Sequence, residues 1–386
     1  GFEEKETIAT GTQAAARGGF TTLCCMPNTE PPIDTAATVE FVLRRAKDTG
    51  AVRVYPIGCV RKARRGQELA EMAELAQAGV VGFSDDGSPV YDTALMRLAL
   101  SYSRSLGLPI MDHCEELSLS KGGAMHEGWV SNRLGLKGIP AAAEEAMVAR
   151  DIALAELTGG HVHICHASTA GTVELVRRAK EKGLPVTAEV CPHHLTLTDE
   201  WVAGYRADSK GAGPLGTLAY DTRAKVNPPL RSRQDVEAVV QGLREGVLDC
   251  VATDHAPHDV VSKEVTFPEA ANGISVLETA LGSLMGLVHE GKISLPVLIE
   301  RLTLGPARVL GERFLQYATL KPGTPADVVL IDPHREWVVD TRQFASKGRN
   351  TPLDGVTLKG KVVATIVEGR VVYREETLAG SAKKGG

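Results

Sequence analysis

The stretch LDCVATDHAPH, residues 248–258, sets a short apolar run against an aspartate and two histidines: Asp254, His255 and His258. Leu248 to Val251 has the composition of a buried strand, and Ala256-Pro257 bars a helix from following at once. Asp, His and Pro also suit plain strand-to-loop punctuation, so a turn explains the segment on its own. Whether it is more than a turn depends on how the other apolar runs of the chain end.

Six further runs resemble it: GFTTLCCMPN (19–28), VRVYPIGCV (52–60), GVVGFSDDG (79–87), LPIMDHCEE (108–116), HVHICHAST (161–169) and LPVTAEVCPHH (184–194). Between them lie amphipathic stretches with the 3.6-residue period of helices, at 35–49, 66–78, 92–106, 141–158, 170–182 and 233–245. Strand alternating with helix builds a parallel sheet covered by helices. A doubly wound open sheet would carry a glycine-rich nucleotide turn after its first strand, and neither GxGxxG nor GxxxxGK[ST] occurs. The expected fold is therefore α/β, a (β/α)8 TIM barrel of which seven strands are visible; the one not found is the first, which would precede Gly1.

A chain of 386 residues with 43% hydrophobic content buries a sizeable core. Its formal net charge is −5 and its basic residues cluster only at Arg61-Lys62-Ala63-Arg64-Arg65, which argues against nucleic acid as a partner and for a small-molecule substrate. The seven cysteines are odd in number, scattered and without a CxxC pair, as for buried thiols in a reducing compartment. No apolar run reaches the roughly eighteen residues that span a bilayer, and GFEEKETIAT lacks the order of a signal peptide. A cytoplasmic protein that does not engage membranes is expected.

After about residue 320 the texture changes to short alternating runs, GTPADVVLIDP, EWVVD and GKVVATIVEGRVVY, without long helices between them. Two domains follow: a barrel over 1–319 and a small β appendage over 320–386, which would pair with the segment before Gly1. Residues 207–219 read as a glycine-rich mobile loop, and 259–272 as part of a lid.

Active sites of such barrels sit at the carboxyl ends of the strands. Asp85 and Asp86 close one run, His113, Glu115 and Glu116 the next, then His163 and His166, then His193 and His194, then Asp254, His255 and His258; eight of the eleven histidines lie at or near these positions. Imidazole and carboxylate converging from separate strands are the donors a divalent ion such as zinc takes, which opens a hydrolase reading. Each residue also has a plain structural reading. His163, alternating with His161, suits a satisfied core histidine, and Glu115 and Glu116 suit the first turn of a helix. His193 and His194, read as strand residues, point to opposite faces, and so do Asp85 and Asp86, which leaves at most one of each pair at the mouth. A nucleophilic serine or cysteine is disfavoured, because GxSxG is missing and Cys114 and Cys165 should point away from their histidine neighbours.

Taken together, GGFTTLCCMPNTEPPID, GFSDDGSPV, IMDHCEE, HICHAST, EVCPHHLTLTDE, KVNPPLR, ATDHAPH and SKGRNTPLDG resemble the bacterial class I dihydroorotases of the amidohydrolase superfamily, in family order from residue 1 to about 370. The resemblance implies a metal-dependent barrel with Zn2+, one or two ions per subunit. Asp86 would bridge the metals, His113 and His166 would bind from the next strands, and Asp254 would serve as ligand and as general acid/base toward the activated water. Asn28 and His258 would hold the substrate carboxylate, Asn227 and the backbone near Gly273 the ring, with Asn28 and Gly273 equally readable as turn residues. His255 would be structural.

The implied reaction is the reversible cyclisation of N-carbamoyl-L-aspartate to (S)-dihydroorotate plus water, in pyrimidine biosynthesis. The family's first strand carries His-x-His and an arginine, shortly before the segment that reads GFEEKET here. The four ligands present would then be too few for a two-metal site, and weak or no activity of this chain alone is expected. A homodimer and an association with aspartate carbamoyltransferase are further expectations. The alternatives are another cyclic amidohydrolase, such as a dihydropyrimidinase or allantoinase, or a non-catalytic dihydroorotase-like scaffold subunit of that transferase. Relatives that carry a carboxylated lysine at the Asp86 position are set apart by FSDDG, which has none.

Overall fold

A computed structural model describes residues 1–205 and 218–375. Most of the loop expected at 207–219 lies outside the described residues. The described residues form eleven strands: β1 (Thr22–Cys25), β2 (Arg53–Pro56), β3 (Ile110–Asp112), β4 (Met125–His126), β5 (Gly138–Ile139), β6 (Val162–Ile164), β7 (Val186–Val190), β8 (Cys250–Val251), β9 (Val328–Val338), β10 (Thr357–Val367) and β11 (Arg370–Arg374).

The barrel wall is parallel throughout. β1 pairs with β2, and β3, β6, β7 and β8 pair in that order. The run read at 79–87 does not form a full strand; it joins the two groups through single bridges of Phe83 to Gly58 and to Ile110. Gly82 and Ser84 interrupt it as the chain turns toward two consecutive aspartates, and one ladder residue suffices to carry the stave.

Each expected helix forms, all but α3 within a residue of its predicted span: α2 (Ala36–Thr49), α3 (Met72–Ala78), α4 (Thr93–Leu106), α7 (Ala142–Thr158), α8 (Ala170–Glu181) and α10 (Arg233–Glu245), preceded by α1 (Ile8–Gly18). Their starts follow from local chemistry. The side chains of Thr35, Asp92, Thr169 and Ser232 each accept the amide three residues on, satisfying one of the free N–H groups of a first turn. α3 begins six residues later than its apolar period suggests, because 66–71 forms a turn and a bridge back to Arg61. Between β3 and α7 an excursion carries α5 (Leu117–Ser120), β4, α6 (Trp129–Leu134) and β5.

Strand side chains alternate between two cores. Ile110, Val162, Ile164, Val186, Ala188 and Val190 meet the helices through Met96, Leu100, Val148, Val176 and Leu243, whereas Met111 and Cys250 cluster with Ile57, Val81, Val309 and Phe314. This is the period-two burial of a barrel wall.

The C-terminal strands form a separate antiparallel sheet in the order β11-β10-β9. The runs expected as two short strands, VVLID and EWVVD, are one eleven-residue strand, β9, with Pro333 inside it. β9 is an edge, where a missing N–H is tolerated, and the ladder shifts register between Lys359 and Lys361 as it passes the Pro333 segment. The sheet packs on α1, with Thr365 Oγ1 donating to Ala16 O at 2.7 Å. Among the described residues no helix is long and apolar enough to cross a membrane.

Candidate metal centre

The strands deliver their last residues to one end of the wall. Asp86 follows the Phe83 bridge, His113 follows β3, His166 follows β6 and Asp254 follows β8. Asp86, His113 and His166 each offer a ligand atom, all within 4.8 Å of one another. His113 Nδ1 lies 2.9 Å from His166 Nε2, and His166 Nε2 lies 3.7 Å from Asp86 Oδ1. Asp254 stands close enough for its charge to act on His166.

The electrostatics of this group favour a cation. Burial would hold His166 neutral, but the Asp86 carboxylate 3.7 Å away and the charges of Asp254 and Glu189 win and push its pKa up to about 9. A proton thus gathers where the carboxylates face the ring, at a place where a divalent ion could replace it. Burial raises Asp254 to about 7, helped by Asp86 and Glu189 and opposed by His166. Burial also acts to raise Asp86, yet its ion pair with His166 and the charge of His113 leave it lowered. Imidazole nitrogens and carboxylate oxygens from separate strands suit zinc and similar divalent ions. His166 and Asp254 also sit at φ of 37° and 45°, a left-handed backbone that L-residues adopt at a cost of about 1–3 kcal/mol. Such strain persists where surrounding contacts enforce it, and here it falls on two of the four residues.

Around this group lie the residues expected to hold substrate. Asn28 Nδ2 donates to Asp86 Oδ2 at 3.0 Å. Asn227 Nδ2 donates to Glu115 Oε2 at 3.0 Å and stands 3.3 Å from His113 Nε2. His258 lies farther along the loop after β8; its Nε2 faces Asn272 O at 2.8 Å, and burial depresses its pKa to about 4. A neutral ring donating from Nε2 leaves Nδ1, which has no partner, as an acceptor. Gly273 has φ of 141°, and a Cβ there would come within 2.7 Å of Ala256 Cβ and 3.0 Å of the His258 ring. Its role in this structure is to let two loop segments approach.

Several neighbours of this group escaped the sequence. Glu115 is not a first-turn carboxylate: its Oε2 meets His113 Nε2 at 2.9 Å, and the hydrogen bond and charge of His113 outweigh burial to hold it at about 2. Only Glu116 caps α5. Arg231, 2% exposed, joins Ser168 Oγ at 3.0 Å and Ile139 O at 3.0 Å, beside the Glu144 carboxylate that accepts Ser168 N at 2.9 Å. That network braces the turn just past His166. Asn350, in the SKGRNTP motif, accepts His258 N at 2.9 Å and donates to Ala256 O and Gly273 O at 2.9 and 3.0 Å. The clue for each was a motif quoted above, SKGRNTPLDG for Asn350 and KVNPPLR for Arg231.

Other expectations resolve by geometry. Asp85 and Asp86 do part company, Asp85 turning to Val60 N, Arg61 N and the Arg61 guanidinium. His163 is a satisfied core histidine, bonded to Thr187 and Glu189, and His161 lies at the opening end of β6, away from the mouth. His193 and His194 do not alternate: they lie in a helical turn, α9 (Pro192–Thr196), with ring centroids 4.4 Å apart. His255 is structural, its Nδ1 accepting the amides of Val276 and Leu277. Burial raises Cys114 and Cys165 well above the ordinary thiol pKa, which disfavours a thiolate nucleophile. Residues 259–272 are pinned rather than loose: Lys263 Nζ donates to Thr222 O and Ala271 O, and Lys225 Nζ to Pro268 O and Ala270 O.

Comparison with known proteins follows the same line. Residues 1–172 match the dihydro-orotase-like family model. The chain is 52% identical over 375 residues to the dihydroorotase of Anaeromyxobacter sp. strain K, covering 97% of this chain and 83% of that protein. It is 53% identical over 379 residues to the dihydroorotase of Pelotomaculum thermopropionicum, covering 98% and 84%. Among solved structures it superimposes on the L-hydantoinase (dihydropyrimidinase) of Arthrobacter aurescens with a TM-score of 0.81 at 26% identity, over 95% of this chain and 80% of the other. The fold is thus the TIM barrel of these cyclic amidohydrolases, and by identity above one half along nearly its whole length the chain belongs to the dihydroorotase family.

Proposed function

We propose that this protein is a dihydroorotase that interconverts N-carbamoyl-L-aspartate and (S)-dihydroorotate with zinc at the Asp86, His113, His166 and Asp254 group. The observation that carries the reading is the convergence of three of these side chains within 4.8 Å, from strands far apart in sequence, with Asp254 acting on them. When bound, the ion supplies Lewis-acid polarisation of the amide carbonyl and a lower pKa for a coordinated water.

The residues of the chain supply the rest. Asp254, at the end of β8 and close enough to act on His166, is placed to take a proton and return it, as a general acid/base must. In ring opening it accepts the proton of the attacking water and delivers it to the leaving ring nitrogen. In closure the same positions run backwards. Asn28, held against Asp86, and Asn227, held against Glu115, present amide groups toward the mouth and orient the substrate carboxylate and ring. His258, neutral and donating from Nε2 to Asn272 O, stands in the loop beside the mouth on the substrate side.

Likeness to hydantoinases keeps a second cyclic amide in view, because the barrel alone does not choose the ring. Turnover of dihydroorotate by the zinc-loaded protein, measured against dihydrouracil, hydantoin and allantoin, tests the choice. Preference for hydantoin or dihydrouracil by tenfold or more in kcat/KM would overturn it. Zinc analysis tests the ion and the scaffold alternative together: activity should disappear with chelation and return with Zn2+, and protein that never holds more than a trace of metal would be a scaffold.

A further inference from the structure

The turn after β7 holds a second group of metal-ligating side chains. Cys191, His193 and His194 are 0%, 3% and 2% exposed, and one donor atom from each lies within 4.8 Å of the other two. His193 has no hydrogen-bond partner at either ring nitrogen, and His194 has none at Nδ1. His194 Nε2 lies 2.9 Å from Pro228 O, so that nitrogen carries the proton and Nδ1 is left as a bare lone pair. A buried polar atom left without a partner is destabilising, and three in one turn of helix call for a partner.

Two candidate partners are a water and a cation. The donors are two imidazole lone pairs and a thiol, the set that borderline and soft metals select. The backbone carbonyl on His194 is the arrangement that orients a metal-bound imidazole and fixes its tautomer. The nearby charge also favours a cation: Asp254 Oδ2 is 3.9 Å from His193 Nε2, and Glu189 acts on Cys191. In a tetrahedral zinc site, bonds of about 2.0–2.3 Å put neighbouring donors about 3.3–3.8 Å apart, within reach of small side-chain rotations here.

We propose that Cys191, His193 and His194 form a second cation site, distinct from the Asp86, His113 and His166 group, that takes a divalent ion of the zinc class with a fourth position left to water. The Cys191 S–H proton passes to solvent as the sulfur–metal bond forms, so one proton is released per ion bound and no electron moves. The ion ties the turn between β7 and α9 to the Pro228 segment through His194. The argument uses nothing of the dihydroorotase assignment, so the two stand or fall separately.

Sulfur makes the site distinguishable, because the first group contains none. The test loads the full chain with Co2+ and reads the near-ultraviolet thiolate-to-cobalt charge-transfer band together with metal equivalents per chain. The wild type should show the band; Cys191→Ser should lose it along with about one equivalent, while Cys165→Ser and Cys250→Ser keep both. Absence of the band in fully loaded wild type, or its survival in Cys191→Ser, overturns the proposal. Should Cys191→Ser not fold, X-ray absorption at the zinc edge of wild-type protein decides: a sulfur scatterer lost on His194→Gln supports the site, and a shell of nitrogen and oxygen alone refutes it.

Discussion

Asn350 gives the sharpest test of how the loop after β8 is held. Its carboxamide, 4% exposed, makes three hydrogen bonds, to His258 N, Ala256 O and Gly273 O. Asn350→Ala removes all three at about 1 kcal/mol each. The space left is about the size of a water, and an immobilised water restores part of the bonding, so a net local loss of about 2 kcal/mol is expected. The effect should be read where it acts. Amide exchange at His258 should quicken about thirtyfold, the exponential of that loss, while exchange in β6 and β7 stays unchanged. Looser placement of Asp254 and His258 should lower kcat/KM about tenfold or more. Asn350→Asp should be worse than Ala near neutral pH, since a carboxylate would face two carbonyl oxygens. Unaltered His258 exchange in Asn350→Ala would refute the idea that this side chain organises the loop.

Three further outcomes follow from the same geometry. Asp254→Asn should lower kcat by about 10²- to 10⁴-fold in protein that still folds by circular dichroism; a change of less than about twofold would remove Asp254 from the proton path. Gly273→Ala adds strain of about 1–3 kcal/mol at φ 141° and a Cβ within 3.0 Å of the His258 ring, so steady-state kinetics should show a loss of at least tenfold in kcat/KM, and unchanged kinetics would mean the ring position is immaterial. Burial and its neighbour His163 depress His161 to about 4, whereas the unfolded chain takes up that proton near 6.5. Its contribution is therefore fully present above about pH 6.5 and lost as pH falls through about 4. Urea midpoints of His161→Gln should decline less steeply than wild type over that window, and parallel declines would refute the assignment.

The periodicity of α2, α4, α7, α8 and α10 was legible in the sequence to within a residue or two, because polar caps and an apolar stripe are local properties. The stave at Phe83 and the merged strand β9 were less legible, since pairing with a neighbour decides where a ladder begins and how it accommodates Pro333. Of the centre, Asp86, His113, His166 and Asp254 could be named from strand-end position and motif. Glu115, Arg231 and Asn350 could not be assigned roles that way, because each acts on a residue tens to more than a hundred positions away or through an unforeseen turn.

The sequence by itself determined the alternation of strand and helix, the kinds of donor at the strand ends and the family likeness, all of which depend on residue type and spacing along the chain. Only the tertiary structure decided which donors meet. It folded His193 and His194 into one helical turn where strand alternation would have separated them. It also set the charges of Asp86, Asp254 and Glu189 around His166. Distance and burial control both, and neither is a property of any single stretch of chain.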